Sequence, residues 1–151
     1  MSSDNTNSSN KEMNIELASG IAAFEGKHFA VAMQNLSPLA QAGNVEAQYR
    51  VAIMQQNGLI GSENLKEAAN WMRKAAEQGH AMAQHGLGFM YMEGEGVEKD
   101  IPKAIEWLEK AANQGLAGSL TTLGMIYQEG NGIDKDEERA RAYYKAAGFD
   151  M

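Results

Sequence analysis

The sequence predicts an all-α protein built as a solenoid of antiparallel helix pairs, and three observations carry that expectation. The first is self-similarity at a step of 36 residues. Trp71 returns as Trp107, Ala47-Gln48 as Ala83-Gln84, Gly58 as Gly94, Ala75-Ala76 as Ala111-Ala112 and Gln78-Gly79 as Gln114-Gly115. A further copy keeps the step, with Leu87-Gly88, Tyr91, Gly94, Gly96 and Asp100 returning as Leu123-Gly124, Tyr127, Gly130, Gly132 and Asp136. A unit of that length cannot bury its apolar face alone and stacks on its neighbours. The second observation is apolar spacing of helical period inside each unit. The third is glycine recurring where a helix must stop.

Residues 1–12 are polar, rich in Ser and Asn and without periodicity, which predicts a disordered tail ahead of a single solenoid domain over 13–151. Four helix pairs follow, over 13–43, 44–79, 80–115 and 116–151. In the clearest, His80 to Met92 forms the first helix, with Ala83, Leu87 and Tyr91 on one face. Gly94 and Gly96 interrupt it, suited to the positive φ of a helix stop. Asp100 caps the second helix, and Pro102 sits in its first turn, where backbone N–H groups lack intrahelical partners. Ala104, Trp107, Leu108 and Ala111 form its apolar stripe, and Gly115 closes it. In the pair 44–79, Asn64 replaces the capping Asp and pairs with Glu67 as a capping box. In 116–151, Tyr143 takes the Trp position, and Lys145 falls one residue short of the match to Lys110. In 13–43, Leu39 to Gly43 matches Ala75 to Gly79, but the connection is four residues shorter: Gly26 to Phe29 spans three steps, Gly94 to Ile101 seven.

The charge balance is acidic, 13 Lys+Arg against 20 Asp+Glu for a net −7, which argues against a nucleic-acid partner, since phosphate binding needs clustered cations. No run approaches the ~18 apolar residues of a membrane span. Met1 to Asn10 carries neither a basic nor an apolar leader region, and there are no cysteines. The expectation is a cytoplasmic protein without disulfides, thiolate metal sites or cysteine nucleophiles.

The string Ala83-Gln84-x-x-Leu87-Gly88-x-x-Tyr91-x-x-Gly94-x-Gly96-Val97-x-x-Asp100, with Ala104-x-x-Trp107-x-x-Lys110-Ala111-Ala112-x-Gln114-Gly115, resembles the Sel-one-like repeat, a longer-looped relative of the tetratricopeptide repeat. The match covers 44–151, while 13–43 looks more like an ordinary tetratricopeptide unit. Departures concentrate in the pair 44–79, where Val51-Ala52 stands for Leu-Gly, Gln55 for Tyr and Ile60 for the second loop Gly. The resemblance implies a right-handed superhelix of helix pairs that holds other proteins together. Some secreted relatives are described as beta-lactamases or penicillin binders. Those carry a disulfide in each repeat, which this cysteine-free chain lacks, so that activity is not carried over.

Candidate chemistry is sparse. His80 and His85 stand at i, i+5 rather than the i, i+4 spacing that aims two imidazoles at one metal, and His28 lies in a distant turn. The loops at 93–100 and 129–136 are rich in carboxylates but lack the calcium-loop spacing, and read as helix stops followed by an N-cap. Gly94-x-Gly96 follows no strand and has no third glycine, so it is no nucleotide loop. No Ser/His/Asp or Ser/Lys set follows from motif context. No metal, cofactor or catalytic residue is expected.

In tetratricopeptide-like solenoids the first helix of each pair lines the concave face. By that resemblance the groove holds Leu17, Ile21 and Phe24 of the first pair, Glu46, Tyr49 and Ile53 of the second, His85, Phe89, Met92 and Glu93 of the third, and Met125 and Glu129 of the fourth. The stripe is apolar along its middle, with glutamates set among it. A solvent-facing wall has no packing reason to carry such residues, and patches of this kind mark contacts. The expected function is a non-enzymatic, monomeric adaptor that binds a peptide or helix with apolar anchors and basic flanks. Against it stand a hydrolase like the secreted relatives, a module that self-associates, and a stripe that merely packs on itself.

Overall fold

The computed structural model describes the backbone of residues 2–150 and the side chains of residues 10–150. Among them, eight helices follow in order: α1 Ser2–Glu25, α2 Phe29–Gln41, α3 Val45–Gln56, α4 Leu65–Glu77, α5 Ala81–Glu93, α6 Ile101–Asn113, α7 Ala117–Glu129 and α8 Glu137–Ala146. No strand occurs among the described residues. The chain divides into two compact units, residues 1–74 and 75–151, with the division inside α4.

Helix α1 spans Ser2–Glu25 and so includes the segment expected as a disordered tail, of which Met1 and the first side chains lie outside the described residues. Adding turns to an existing helix costs far less than nucleating one, and Ser and Asn are only mildly unfavourable there. The anchor of α1 lies further along, where Leu17, Ala23 and Phe24 pack on the core of the first unit: Ala32, Leu36, Leu39, Ala40, Ala47, Val51 and Met54.

In three of the four pairs, a glycine of the first helix admits the second. A Cβ added to Gly20 would meet Leu36 Cδ2 at 2.5 Å, and one on Gly88 would meet Leu108 Cγ at 2.7 Å. One on Gly124 would meet the Tyr144 ring at 2.8 Å. Gly20 and Leu36 stand four residues closer in sequence than Gly88 and Leu108, so the tight turn at Gly26–His28 absorbs the whole shortening and the packing register survives. Gly124 against Tyr144 likewise shows that α8 keeps register that far. It then closes early, with positive φ at Gly148, three residues ahead of the position matching Gly115.

The recurrent Ala-Gln has a physical reason. Gln48 and Gln84 are buried, and each donates its side-chain amide to a carbonyl eight residues back, Ala40 O at 3.1 Å and Ala76 O at 3.2 Å. The long loops close in the same way each time. The N–H of the N-cap residue donates to the carbonyl nine residues earlier, Asn64 to Gln55, Asp100 to Tyr91 and Asp136 to Tyr127, all at 2.9 Å. Gly94 and Gly130 end α5 and α7 in the left-handed region, at φ 72° and 65°. Asp100 and Asp136 accept from the N–H of Lys103 and Arg139 as caps. At Asn64 the box is incomplete. Asn64 accepts from Glu67 N–H, but the Glu67 carboxylate accepts from the Asn64 side-chain amide, the backbone N–H being taken by Gln55.

The buried face of α6 is Ile101, Ala104, Ile105, Leu108 and Ala111. Trp107, expected inside that stripe, sits half-buried at its edge with Lys110 Nζ 4.4 Å above the ring; Lys74 covers Trp71 in the same manner at 4.6 Å. In the second unit Ile101, Ile105, Leu108, Leu123, Ile126, Tyr127 and Ala140 form the core, with Tyr143 stacked on Tyr127 at 5.8 Å between centroids.

Candidate interaction site

The faces of the first helices differ between the two units. In the first, Leu17, Ile21, Phe24, Tyr49 and Ile53 are all half-buried. Leu17 and Phe24 lie against the core, and Phe24 meets Phe29 edge-on with centroids 5.7 Å apart. Arg50 then covers what is left. Its Cζ stands 4.9 Å over the Phe24 ring, its Nε donates to Glu46 at 2.8 Å, and its guanidinium lies 3.7 Å from Glu25. Burial, followed by the nearby Glu46 charge, raises the Tyr49 phenol above its ordinary pKa. So in this unit the apolar stripe is largely packed, and its two glutamates are neutralised from within.

The second unit is open. Helix α5 is apolar on nearly every side. It buries Ala83, Gln84, Leu87, Gly88, Met90 and Tyr91, which leaves Met82 and Phe89 on the outer face, 45% and 38% exposed. On α7, Met125 is 46% exposed. Met92, Glu93, Met125 and Glu129 come together around one pocket of about 190 Å³. Neither Glu93 nor Glu129 has an ion-pair partner among the described residues, and both are exposed.

His85 joins the two first helices of this unit. Its Nδ1 lies 2.8 Å from Ser119 Oγ, and burial lowers its pKa. The sequence reading missed this pair. Its signal was Ser119 at the small-residue position that Ala47 and Ala83 fill in the other repeats, a buried hydroxyl in need of a partner. Ser119 is fully buried, so its hydroxyl meets the imidazole and has no open side for a substrate. His80 is likewise used locally, its Nδ1 accepting from Ala83 N–H as the cap of α5. No group of three or more His, Asp or Glu side chains stands close enough to hold a metal among the described residues, and no helix there is long and apolar enough to cross a membrane.

The Sel1 repeat model matches residues 45–80, 81–116 and 119–148. No curated protein matches the chain. Among solved structures, a Sel1 repeat protein from Oxalobacter formigenes is similar with a TM-score of 0.78 and 34% identity, over 87% of this chain and 54% of that one. The c5321 protein, a protective antigen of uropathogenic Escherichia coli strains displaying an SLR fold, is similar with a TM-score of 0.71 and 36% identity, over 76% of this chain and 25% of that one. This chain thus spans about half the length of the first and a quarter of the second.

Proposed function

Because the chain belongs to the Sel1 repeat family, whose repeats generally mediate contacts between proteins, we propose that it is a non-enzymatic adaptor holding a partner polypeptide against the outer faces of α5 and α7. The observation that carries this reading is the exposure of Met82, Phe89 and Met125 together on the second unit. The repeat does not need these side chains for its core, which α5 and α7 build from their opposite faces. Large apolar side chains left in water at such positions mark an interface, and aromatic and Met residues are enriched in such contacts. The partner supplies apolar anchors, with basic residues beside them for the uncovered glutamates.

The test is to pan a peptide library against the folded chain and map the selected peptides by cross-linking. Contacts on Met82, Phe89 and Met125 support the reading, and Phe89→Ala is expected to cost about 2 kcal/mol of binding with circular dichroism unchanged. Normal binding by Phe89→Ala, with contacts on α6 and α8, would sink it.

A further inference from the structure

We propose that the pocket where α5 and α7 end receives a basic side chain of the partner, arginine by preference, lying along Met92 and Met125 with its head at Glu93 and Glu129. The proposal rests on the adaptor reading above and gives it a partner chemistry.

The first unit supplies the template. There Arg50 of α3 reaches Glu25 at the end of α1 and lies over Phe24. By the repeat register Glu25 corresponds to Glu93, Phe24 to Met92, Ile53 to Met125, and Arg50 to Thr122 of α7. The carboxylate has therefore been kept in the second unit and the guanidinium has not. Thr122 donates its hydroxyl to Gly118 O at 2.9 Å, within its own helix, and leaves Glu93 uncovered. The pocket beneath has a mixed lining: Met92, Ile101, Met125 and Ile126 offer apolar surface for the stem of a long cationic side chain, and Asn131 and Lys99 stand among them beside the two glutamates. Glu93 and Glu129 are the last residues of α5 and α7, so two helix C-termini add their partial negative charge at the mouth. Lys99 also lines the pocket but is in salt-bridge contact with neither carboxylate among the described residues. A planar guanidinium fits two carboxylates better than an ammonium does, as Arg50 does between Glu25 and Glu46.

The experiment uses the full chain and three probes: N-acetyl-arginine methylamide, its norleucine counterpart, and calcium chloride at matched ionic strength. Nitrogen-edited NMR should show saturable shifts at Met92, Glu93, Met125 and Glu129 with the arginine probe alone. The exposed, isosteric pair Glu93→Gln and Glu129→Gln should weaken it roughly five- to tenfold, as expected for losing two exposed ion pairs. Thr122→Arg should fill the site from within and abolish probe binding, with unchanged thermal unfolding. Equal response to norleucine, indifference to the two Gln substitutions, no saturable response, or the same shifts from calcium would each overturn the pocket. Selected peptides that contact Phe89 without needing a basic residue would also overturn it while leaving the adaptor reading intact. That reading fails separately, when contacts fall on α6 and α8.

Discussion

Leu108 of α6 seats its side chain directly on Gly88 of α5, in the space that a Cβ on the glycine would take. The Ala104 carbonyl lies 3.1 Å from that same point, so both a side chain and the backbone of α6 depend on the missing methyl. The helices of this pair approach as closely as they do because of one hydrogen atom.

Gly88→Ala is therefore expected to destabilise the second unit by about 1–2 kcal/mol, overpacking outweighing the gain in helix propensity. Leu108→Ala alone should cost about 2–5 kcal/mol as a cavity. The double variant should cost clearly less than the sum, because the alanine methyl then has room. Urea unfolding of the four proteins measures the coupling, and strict additivity would show that the contact is not tight.

Gly130 and Gly94 share a left-handed conformation but not the same surroundings. A Cβ on Gly130 would meet Lys135 backbone at 2.9 Å, whereas one on Gly94 would meet only the Lys99 side chain at 3.3 Å and its backbone at 3.6 Å. Each Gly→Ala change should cost about 1 kcal/mol for the backbone conformation, and Gly130→Ala more than Gly94→Ala. Thermal unfolding of the two variants should show that order.

His85 ties stability to pH. Burial holds its folded pKa below the ordinary value near about 6.5. Between the two values the unfolded chain binds more protons, so stability is full above about pH 6.5 and is lost as pH falls through the folded pKa. The urea midpoint should drop on going from about pH 7.5 to pH 5.5. His85→Gln, which can still bond Ser119, should have a shallower slope. Equal slopes would mean that other groups carry the effect.

Arg50 holds the first unit's stripe closed. Arg50→Ala removes the contact over Phe24 and the ion pairs to Glu25 and Glu46, for an expected loss of about 1 kcal/mol. It also bares a site like that of the second unit. The arginine probe should then shift Glu25 and Phe24 resonances that are silent in the parent chain.

The helices, their pairing and the points where they stop are legible in the residues alone. Those follow from local chemistry: a 36-residue step, apolar spacing at 3.6 residues per turn, capping Asp at 100 and 136, and glycine where φ must be positive. A fixed period also assigns each residue a face, and the expected groove positions rest on that. Whether that stripe is open was decided only by tertiary structure. Leu17 and Phe89 differ little in hydropathy, yet one packs on a core and the other is left 38% exposed, because that depends on which side chains of other helices reach them. Arg50 closes one stripe from the neighbouring helix; Thr122, at the matching place, is too short to close the other. Ser119 and His85 meet across 34 residues for the same reason. A repeat fixes the backbone path from within each helix pair, whereas a contact between neighbouring pairs depends on the reach and charge of two side chains that no period relates.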